Sequence, residues 1–215
     1  NLVSNTGVVA TDTTGVGTAR DSLAAAGYGT DKAIFGYGWN GTNLSITNLV
    51  SNTGVVATDT TGVGTTRSDL AAAGYGSDKA IFGYGYTGSN VSLTNLVTNA
   101  GVVGSDVSGV GTARRALSAA RYGEDKAIFA YGYSTATPNY KSVKNLVSNT
   151  GVVASDGSGV GTGRYGVAAA GYGGNKAIFG FGSVSPTSYS MTNLVSLFDL
   201  LPIRFLKINF AISEI

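Results

Sequence analysis

Short apolar runs interrupted by glycines and polar turns recur along the whole chain. In the first period, residues 23–28 read Leu-Ala-Ala-Ala-Gly-Tyr, and residues 32–38 return after a polar turn as Lys-Ala-Ile-Phe-Gly-Tyr-Gly. Two such runs around a short turn predict a β-hairpin, and the runs at 44–50 and 55–58 predict two further strands. Alanine favours helices, but the alanine run is short and ends in glycine. We therefore predict four strands per unit, with a helix over the alanines as the alternative.

The same unit returns several times. The segment Asn-Leu-Val, followed by Ser or, at residue 98, by Thr, begins at residues 1, 48, 95 and 145 and once more at 193, which gives spacings of 47, 47, 50 and 48 residues. Periods of this length are typical of propeller blades and solenoid units. Each unit has an apolar face that it can bury only against its neighbours. Four antiparallel strands per period favour an all-β fold, a β-propeller of about four blades over residues 1–192.

The order of the strands indicates how such a ring closes. The chain starts with strands three and four of a unit, and its last hairpin, at 167–182, supplies strands one and two. We therefore predict that the N- and C-terminal segments share one blade. Residues 189–196 repeat strand three and compete for the same place, so a five-bladed or oligomer-completed propeller is the alternative. Residues 193–215 form a non-repeat apolar tail, which we expect to mediate self-association or to be a non-native end.

The repeated unit resembles the kelch and galactose-oxidase type of propeller repeat. Arg67 precedes a strand of small residues at 70–73 (Leu-Ala-Ala-Ala), and after a turn the aromatic strand at 81–85 (Ile-Phe-Gly-Tyr-Gly) ends in glycine. The resemblance spans about residues 1–192 and implies a kelch-like β-propeller. It also implies, for the enzymes of that type, copper bound by His and Tyr with a Cys-linked Tyr. This chain contains no His and no Cys, so that chemistry does not carry over.

Composition narrows the function further. The chain has 14 Lys and Arg against 12 Asp and Glu, a net charge of +2, and the basic residues are scattered, so we expect no nucleic-acid partner. The absence of Cys and His removes the thiolate nucleophile, the commonest general base and the commonest transition-metal ligand. We therefore predict no enzyme, no catalytic residues, no metal site and no cofactor. The C-terminal tail is too short and too charged to span a bilayer as a helix, so we expect no membrane span.

One arginine and one aspartate recur in each unit. The arginines precede strand one, and we expect them to hydrogen-bond carbonyls between blades, with anion capture at the mouth of the axis as the alternative. The aspartates lie in Asp-x-x-Gly segments, for which we expect Asx-turns. The residues are Arg20, Arg67, Arg114 and Arg164, and Asp12, Asp59, Asp106 and Asp156.

The first two periods match nearly everywhere outside two places, residues 21–22 and the loop that begins at Trp39. The loop after strand two and the link after strand four belong to one face, so we predict that the variable positions gather on one rim. Aromatic planes combined with amide groups suit sugar binding. The alternatives are that exposed loops drift freely and that the aromatic residues serve packing between blades. The candidate ligand-binding residues are Trp39, Asn40, Tyr86, Asn90, Tyr133, Tyr140 and Tyr189.

These observations favour a non-catalytic binding or display module that is extracellular or virion-associated. Near-identical repeats present several weak sites, from which multivalency supplies avidity. The expected partner is a glycan or another cell-surface ligand. The competing interpretation is a structural or protein-protein interaction propeller without a small-molecule ligand.

Overall fold

The computed structural model of the protein describes residues 1–196. Of the predicted tail at 193–215, residues 193–196 belong to a regular β-strand. Residues 197–215, with the expected role in self-association, lie outside the described residues. The described part is all-β and contains strands and turns but no helix. The strands are β1 (Ala24–Tyr28), β2 (Lys32–Trp39), β3 (Asn43–Val50), β4 (Ala71–Tyr75), β5 (Lys79–Tyr86), β6 (Asn90–Val97), β7 (Ser118–Tyr122), β8 (Lys126–Ala130), β9 (Lys144–Val147), β10 (Ala168–Tyr172), β11 (Lys176–Gly180), β12 (Ser183–Val184), β13 (Thr187–Ser188) and β14 (Thr192–Ser196).

Residues 1–196 form four antiparallel three-stranded sheets, one per unit. Their strand orders are β1-β2-β3, β4-β5-β6, β7-β8-β9 and β10-β11-β14, and we number the sheets one to four in that order. The predicted hairpin is present in every sheet, with Ala26 opposite Ile34 in the first. The alanine run is a strand in the first, second and fourth units, and the alternative of a helix there is wrong. The short hairpin β12-β13 precedes β14.

The predicted fourth strand is reduced to isolated bridges. In the first unit Val56 pairs with Val50, and Thr60 pairs with Thr47, without a continuous ladder between them. The turn between Val50 and Val56 is closed by hydrogen bonds to Ser51, whose side-chain oxygen accepts from the backbone nitrogen of Val55 at 3.0 Å. The sheets therefore consist of three regular strands and a loosely paired outer segment.

Consecutive sheets pack face to face, and the first two joints between sheets are each built around a phenylalanine and a glycine. The ring of Phe82 in the second sheet covers Gly36 in the first, where an added Cβ would lie 2.6 Å from the tip of the ring. The same ring packs edge-on against Tyr37, with their centroids 5.2 Å apart. Phe129 repeats this arrangement on Gly83 and Tyr84 at the next joint. At Gly36 and Gly83 a side chain would displace the aromatic ring. The third unit has Ala130 at this position, and there the Tyr131 and Phe179 rings lie further apart, with centroids at 5.6 Å.

Backbone hydrogen bonds at the hairpin turns also join the sheets. The backbone nitrogen of Gly29 donates to the carbonyl oxygen of Asp78 at 2.7 Å, and Gly76 donates in the same way to Asp125. The first strand of each sheet contacts the first strand of the next, in the order β1, β4, β7 and β10. These strands can approach closely because most of their side chains are small. The core of the protein therefore lies between sheets, in three successive clusters.

The two ends of the chain do not share a blade. The fourth sheet is completed by β14 of its own unit, in which Leu194 lies opposite Ile178. The N-terminal residues form a separate small hairpin instead, with Val3 opposite Val9, and Leu2 lies against Gly54 of the first unit. The prediction of a shared blade is wrong, because residues 192–196 reach β11 through a short connection of the same unit.

The described residues form an open stack of four sheets. The first sheet contacts the second, the second contacts the third, and the third contacts the fourth. Among the described residues, no comparable contact joins the first sheet to the fourth. No closed ring is therefore found among the described residues, and the number of blades in a complete propeller stays a prediction.

Candidate binding surface

One repeated arginine in each unit holds its sheet together, and it is fully buried in the second, third and fourth units. Arg67 is fully buried, and its Nε donates to the carbonyl oxygen of Tyr84 at 2.9 Å. One terminal nitrogen donates to Asn95 Oδ1 at 2.6 Å, and the guanidinium lies 4.1 Å from the ring centroid of Tyr37 in the preceding sheet. The expected bonds to carbonyls are present, although they lie within one unit. The alternative of anion capture is wrong for this buried group.

The repeated aspartate belongs to the same network. Asp106 accepts hydrogen bonds from Asn95 Nδ2 at 2.9 Å and from the backbone nitrogen of Thr65 at 2.9 Å. Thr65 lies 41 residues earlier, so the expected Asx-turn is wrong. Burial acts to raise the pKa of Asp106, but the hydrogen bonds from Thr65 and Asn95 outweigh it, and the pKa lies below its ordinary value. Burial lowers the pKa of Arg67 and raises the pKa of Tyr84 to about 12. These groups are structural.

The two places where the units differ are cross-strand neighbours. The position before strand one pairs with the end of strand two in all four units, through an isolated bridge. In the third unit, for example, the backbone nitrogen of Arg115 donates to the carbonyl oxygen of Tyr133 at 2.9 Å, and the reverse bond is 2.8 Å. Both variable positions therefore line one edge of the stack, which we call the rim. The pairs are Asp21 with Trp39, Ser68 with Tyr86, Arg115 with Tyr133, and Tyr165 with Ser183.

Four tyrosines and one arginine meet on the rim. The Arg115 guanidinium lies 4.3 Å from the ring centroid of Tyr86 and 5.4 Å from that of Tyr133. Tyr133 meets Tyr140 edge to face at 5.8 Å, and Tyr140 stacks on Tyr165 at 5.7 Å with an interplanar angle of 19°. We call these five residues the rim cluster. It joins the second, third and fourth units, and each of its side chains stays partly exposed.

The loop that supplies Tyr140 is specific to the third unit. This unit is longer by three residues, and the additional length falls between Tyr133 and β9. The loop is held by a backbone bond from Ser134 to the carbonyl oxygen of Asn139 at 2.8 Å. The buried side chain of Lys141 donates to the carbonyl oxygen of Ala136, also at 2.8 Å. The insertion is therefore a defined structure that fixes Tyr140 between two other rings.

An open cavity of about 430 Å³ lies at the rim cluster, lined by Asp69, Ala116 and four of the five cluster residues. This volume falls within the range of small-ligand sites, about 300–1,000 Å³. The aromatic rings offer flat apolar faces, the Arg115 guanidinium offers several donors in a planar fork, and the Asp69 carboxylate offers acceptors. Within residues 1–196, acidic side chains form no group of three suited to hold a metal ion. The arrangement suits binding of a polar ligand that has an apolar face.

The structure brings together three of the seven predicted site residues, Tyr86, Tyr133 and Tyr140. The others lie elsewhere. Trp39 is exposed at the equivalent place of the first unit, and among residues 1–196 no ring contact to it is found.

The two asparagines and Tyr189 also lie outside the rim cluster. Asn40 is exposed, and its side-chain oxygen accepts from Thr42 within the same loop. Asn90 begins β6 with its amide atoms shielded from solvent. Tyr189 follows β13 and donates its backbone nitrogen to Gly182. Trp39, Asn40, Asn90 and Tyr189 are therefore not part of the rim cluster, and their role in ligand binding stays a prediction.

Sequence reasoning missed three residues of this surface, Arg115, Tyr165 and Asp69. Arg115 and Tyr165 occupy the repeat position of Asp21, at one of the two variable places. Within-chain variation therefore contained a signal for them. It did not show which variable positions face one another, because that depends on the pairing between separate segments.

Comparison with known proteins finds no matching family model and no matching curated protein. The kelch-like resemblance therefore stays a prediction. Across residues 1–196, no helix of the length and apolar character needed to cross a bilayer is found.

Proposed function

We propose that the protein is a non-catalytic binding module that presents the rim cluster to a carbohydrate on a cell surface. The observation that carries this proposal is the coincidence of two patterns. The positions that vary between units are the ones that bring tyrosines and an arginine together around an open cavity. The positions that vary little form the joints between sheets. Variation is therefore concentrated where a ligand has access.

The chemistry of the rim cluster suits a sugar. A sugar ring has an apolar face of C–H groups and an edge of hydroxyl groups. The electron-rich faces of Tyr140 and Tyr165 attract the C–H face. The planar guanidinium of Arg115 donates hydrogen bonds to hydroxyl oxygens, and the Asp69 carboxylate accepts hydrogen bonds from hydroxyl groups. The neighbouring rings fix Tyr140 before the ligand arrives, which reduces the entropy lost on binding.

The wider architecture and location belong to the same proposal. We propose a kelch-like propeller arrangement in which the described sheets serve as blades; the small residues of the innermost strands support it. Few charges, many Tyr, Thr, Gly and Asn residues and nearly identical units support an extracellular or virion-associated protein that displays repeated sites. A structural or protein-interaction role is the second candidate, supported by the two end faces of the stack, which no further sheet within residues 1–196 covers.

Replacing Tyr140 with alanine is expected to weaken glycan binding by about 30-fold, since a central aromatic anchor contributes about 2 kcal/mol or more. The measurement is binding of the full chain to a glycan array, followed by titration with the best glycan. Arg115→Ala is expected to weaken binding as well. Tyr172→Ala is the matched control, because Tyr172 is an exposed tyrosine at the hairpin-turn edge, outside the rim cluster. A wild-type chain without signal above background would contradict the proposal, and so would an equal loss in Tyr172→Ala.

A further inference from the structure

The two end faces of the stack carry the same residues that meet at the internal joints. The first sheet carries the residues of one side of a joint, and the fourth sheet carries those of the other side. At each internal joint, the following sheet contributes a phenylalanine and an arginine, and the preceding sheet contributes a tyrosine and a small residue. That small residue is a glycine at the first two joints and Ala130 at the third. At the joint of the first and second sheets, Phe82 covers Gly36 and Arg67 stacks on Tyr37. The joints of the second with the third sheet and of the third with the fourth repeat the stacked arginine. This regularity defines what either end would bind.

The first sheet presents the phenylalanine and arginine half, which no other sheet of residues 1–196 covers. Phe35 is 37% exposed, whereas the equivalent Phe82 is 0% exposed. Arg20 keeps the bonds within its own unit, to the carbonyl oxygen of Tyr37 at 2.7 Å and to Asn48 at 2.6 Å. Among residues 1–196 no aromatic ring lies against the Arg20 guanidinium, as Tyr37 lies against that of Arg67.

The fourth sheet presents the opposite half. Phe181 occupies the position of Tyr84 and is 60% exposed, whereas Tyr84 is 0% exposed. Gly180 occupies the position of Gly83, and its nearest neighbour is a methyl group of Thr192 rather than an aromatic ring. In the described chain, the backbone nitrogen of Gly173 has no bond of the kind that Gly76 donates to the next sheet.

We propose that a second copy of this chain stacks head to tail, with the first sheet of one copy on the fourth sheet of the other. Phe35 of one copy then covers Gly180 of the other, and Arg20 stacks on Phe181, a contact that a phenylalanine ring supports as a tyrosine ring does. Gly173 donates to the carbonyl oxygen of Asp31. The second copy is the occupant because all three joints inside the chain stack an arginine on an aromatic ring in this way, and two of them also place a phenylalanine on a glycine. The interface is heterologous, so it generates rings or filaments.

The joint requires an exchange of strands. Residues 1–4 and residues 193–196 share the sequence Asn-Leu-Val-Ser. Residues 193–196 lie on β11 as the third strand of the fourth sheet, with Leu194 opposite Ile178. When two copies join, residues 1–4 of the second copy reach the same edge. One of the two identical segments therefore leaves that edge, as in domain swapping.

Light scattering of the full chain over a range of concentrations tests the proposal. The wild-type mass is expected to exceed the 21.7 kDa of one chain and to rise with concentration. Phe35→Asp and Phe181→Asp each destroy one end, so each variant alone is expected to stay a single chain. An equimolar mixture is expected to give two chains and no larger species, because each variant keeps the end that the other lacks.

Val152→Asp is the matched control, because Val152 is 66% exposed and lies at an outer turn, away from both ends. This variant is expected to associate as the wild type does. Thermal unfolding followed by circular dichroism checks the fold of all three variants, each of which replaces an exposed side chain. A wild-type chain that stays single at every concentration would overturn the proposal. So would association that persists in Phe35→Asp and Phe181→Asp, or a mixture that does not associate.

Discussion

Replacing Arg114 with alanine is expected to lower the free energy of unfolding by about 3–5 kcal/mol, the usual cost of removing one partner from a buried charged network. Arg114 is fully buried and donates to Asn145 Oδ1 at 2.7 Å and to the carbonyl oxygen of Tyr131 at 2.8 Å. It also stacks on the Tyr84 ring at 4.2 Å. Alanine leaves the acceptors without donors and opens the joint between the second and third sheets.

Urea unfolding measures this loss, and Arg115→Ala is the matched control one residue further along. Arg115 lies on the rim and contacts two tyrosine rings, so its removal is expected to cost less than about 1 kcal/mol, as for an exposed cation–π contact. Arg114→Lys is expected to be nearly as unstable as Arg114→Ala, since an ammonium group does not reproduce the planar fork. Equal stability of Arg114→Ala and Arg115→Ala would show that the buried network does not hold the sheets together.

Replacing Phe129 with alanine is expected to destabilise the protein by about 3–5 kcal/mol, because it leaves a cavity in a closed joint. The Phe129 ring is fully buried, lies on Gly83 and meets Tyr84 at 5.2 Å. For a chain of this size the loss corresponds to a fall in the melting temperature of roughly 10 °C.

Phe35→Ala is the matched control, because the residue has the same place in its unit but lies on the open end. The expected cost is about 1 kcal/mol, since the side chain is only partly removed from water. Thermal unfolding at a concentration where the chain is single compares the two variants. If Phe35→Ala proves as destabilising as Phe129→Ala, the first sheet is covered in solution by another part of the chain.

Strand positions were predictable because their pattern is local. Residues 32–38 and 44–50 were predicted as strands, and the structure has Lys32–Trp39 and Asn43–Val50. A short polar turn between apolar runs sets the register of a hairpin by itself. The sequence did not predict that the fourth strand pairs only through isolated bridges. Its residues are compatible with a continuous β-ladder, and only the observed pairing with β3 shows that the ladder is interrupted.

The end of the chain was mispredicted for a physical reason. Residues 1–4 and 193–196 have the same sequence, so no local pattern decides which of them completes the fourth sheet. Residues 193–196 have the advantage of proximity, since closing a short connection costs less entropy than bringing the two chain ends together. Tyr86, Tyr133 and Tyr140, which the structure brings together, could be selected from the loops they occupy, and their role in ligand binding stays a prediction. Arg115 could not be selected in this way, because its place beside Tyr133 depends on pairing between segments.

The open stack of equivalent sheets underlies both proposals, and thiol labelling tests it most directly. The chain contains no cysteine, so Phe35→Cys and Phe129→Cys each carry one thiol. At a concentration where the chain is single, Phe35→Cys is expected to react readily. Phe129→Cys is expected to react at least about 100-fold more slowly, because a buried site reacts only when the structure opens. Equal protection of the two thiols would contradict the open stack and would show that another sheet covers the first.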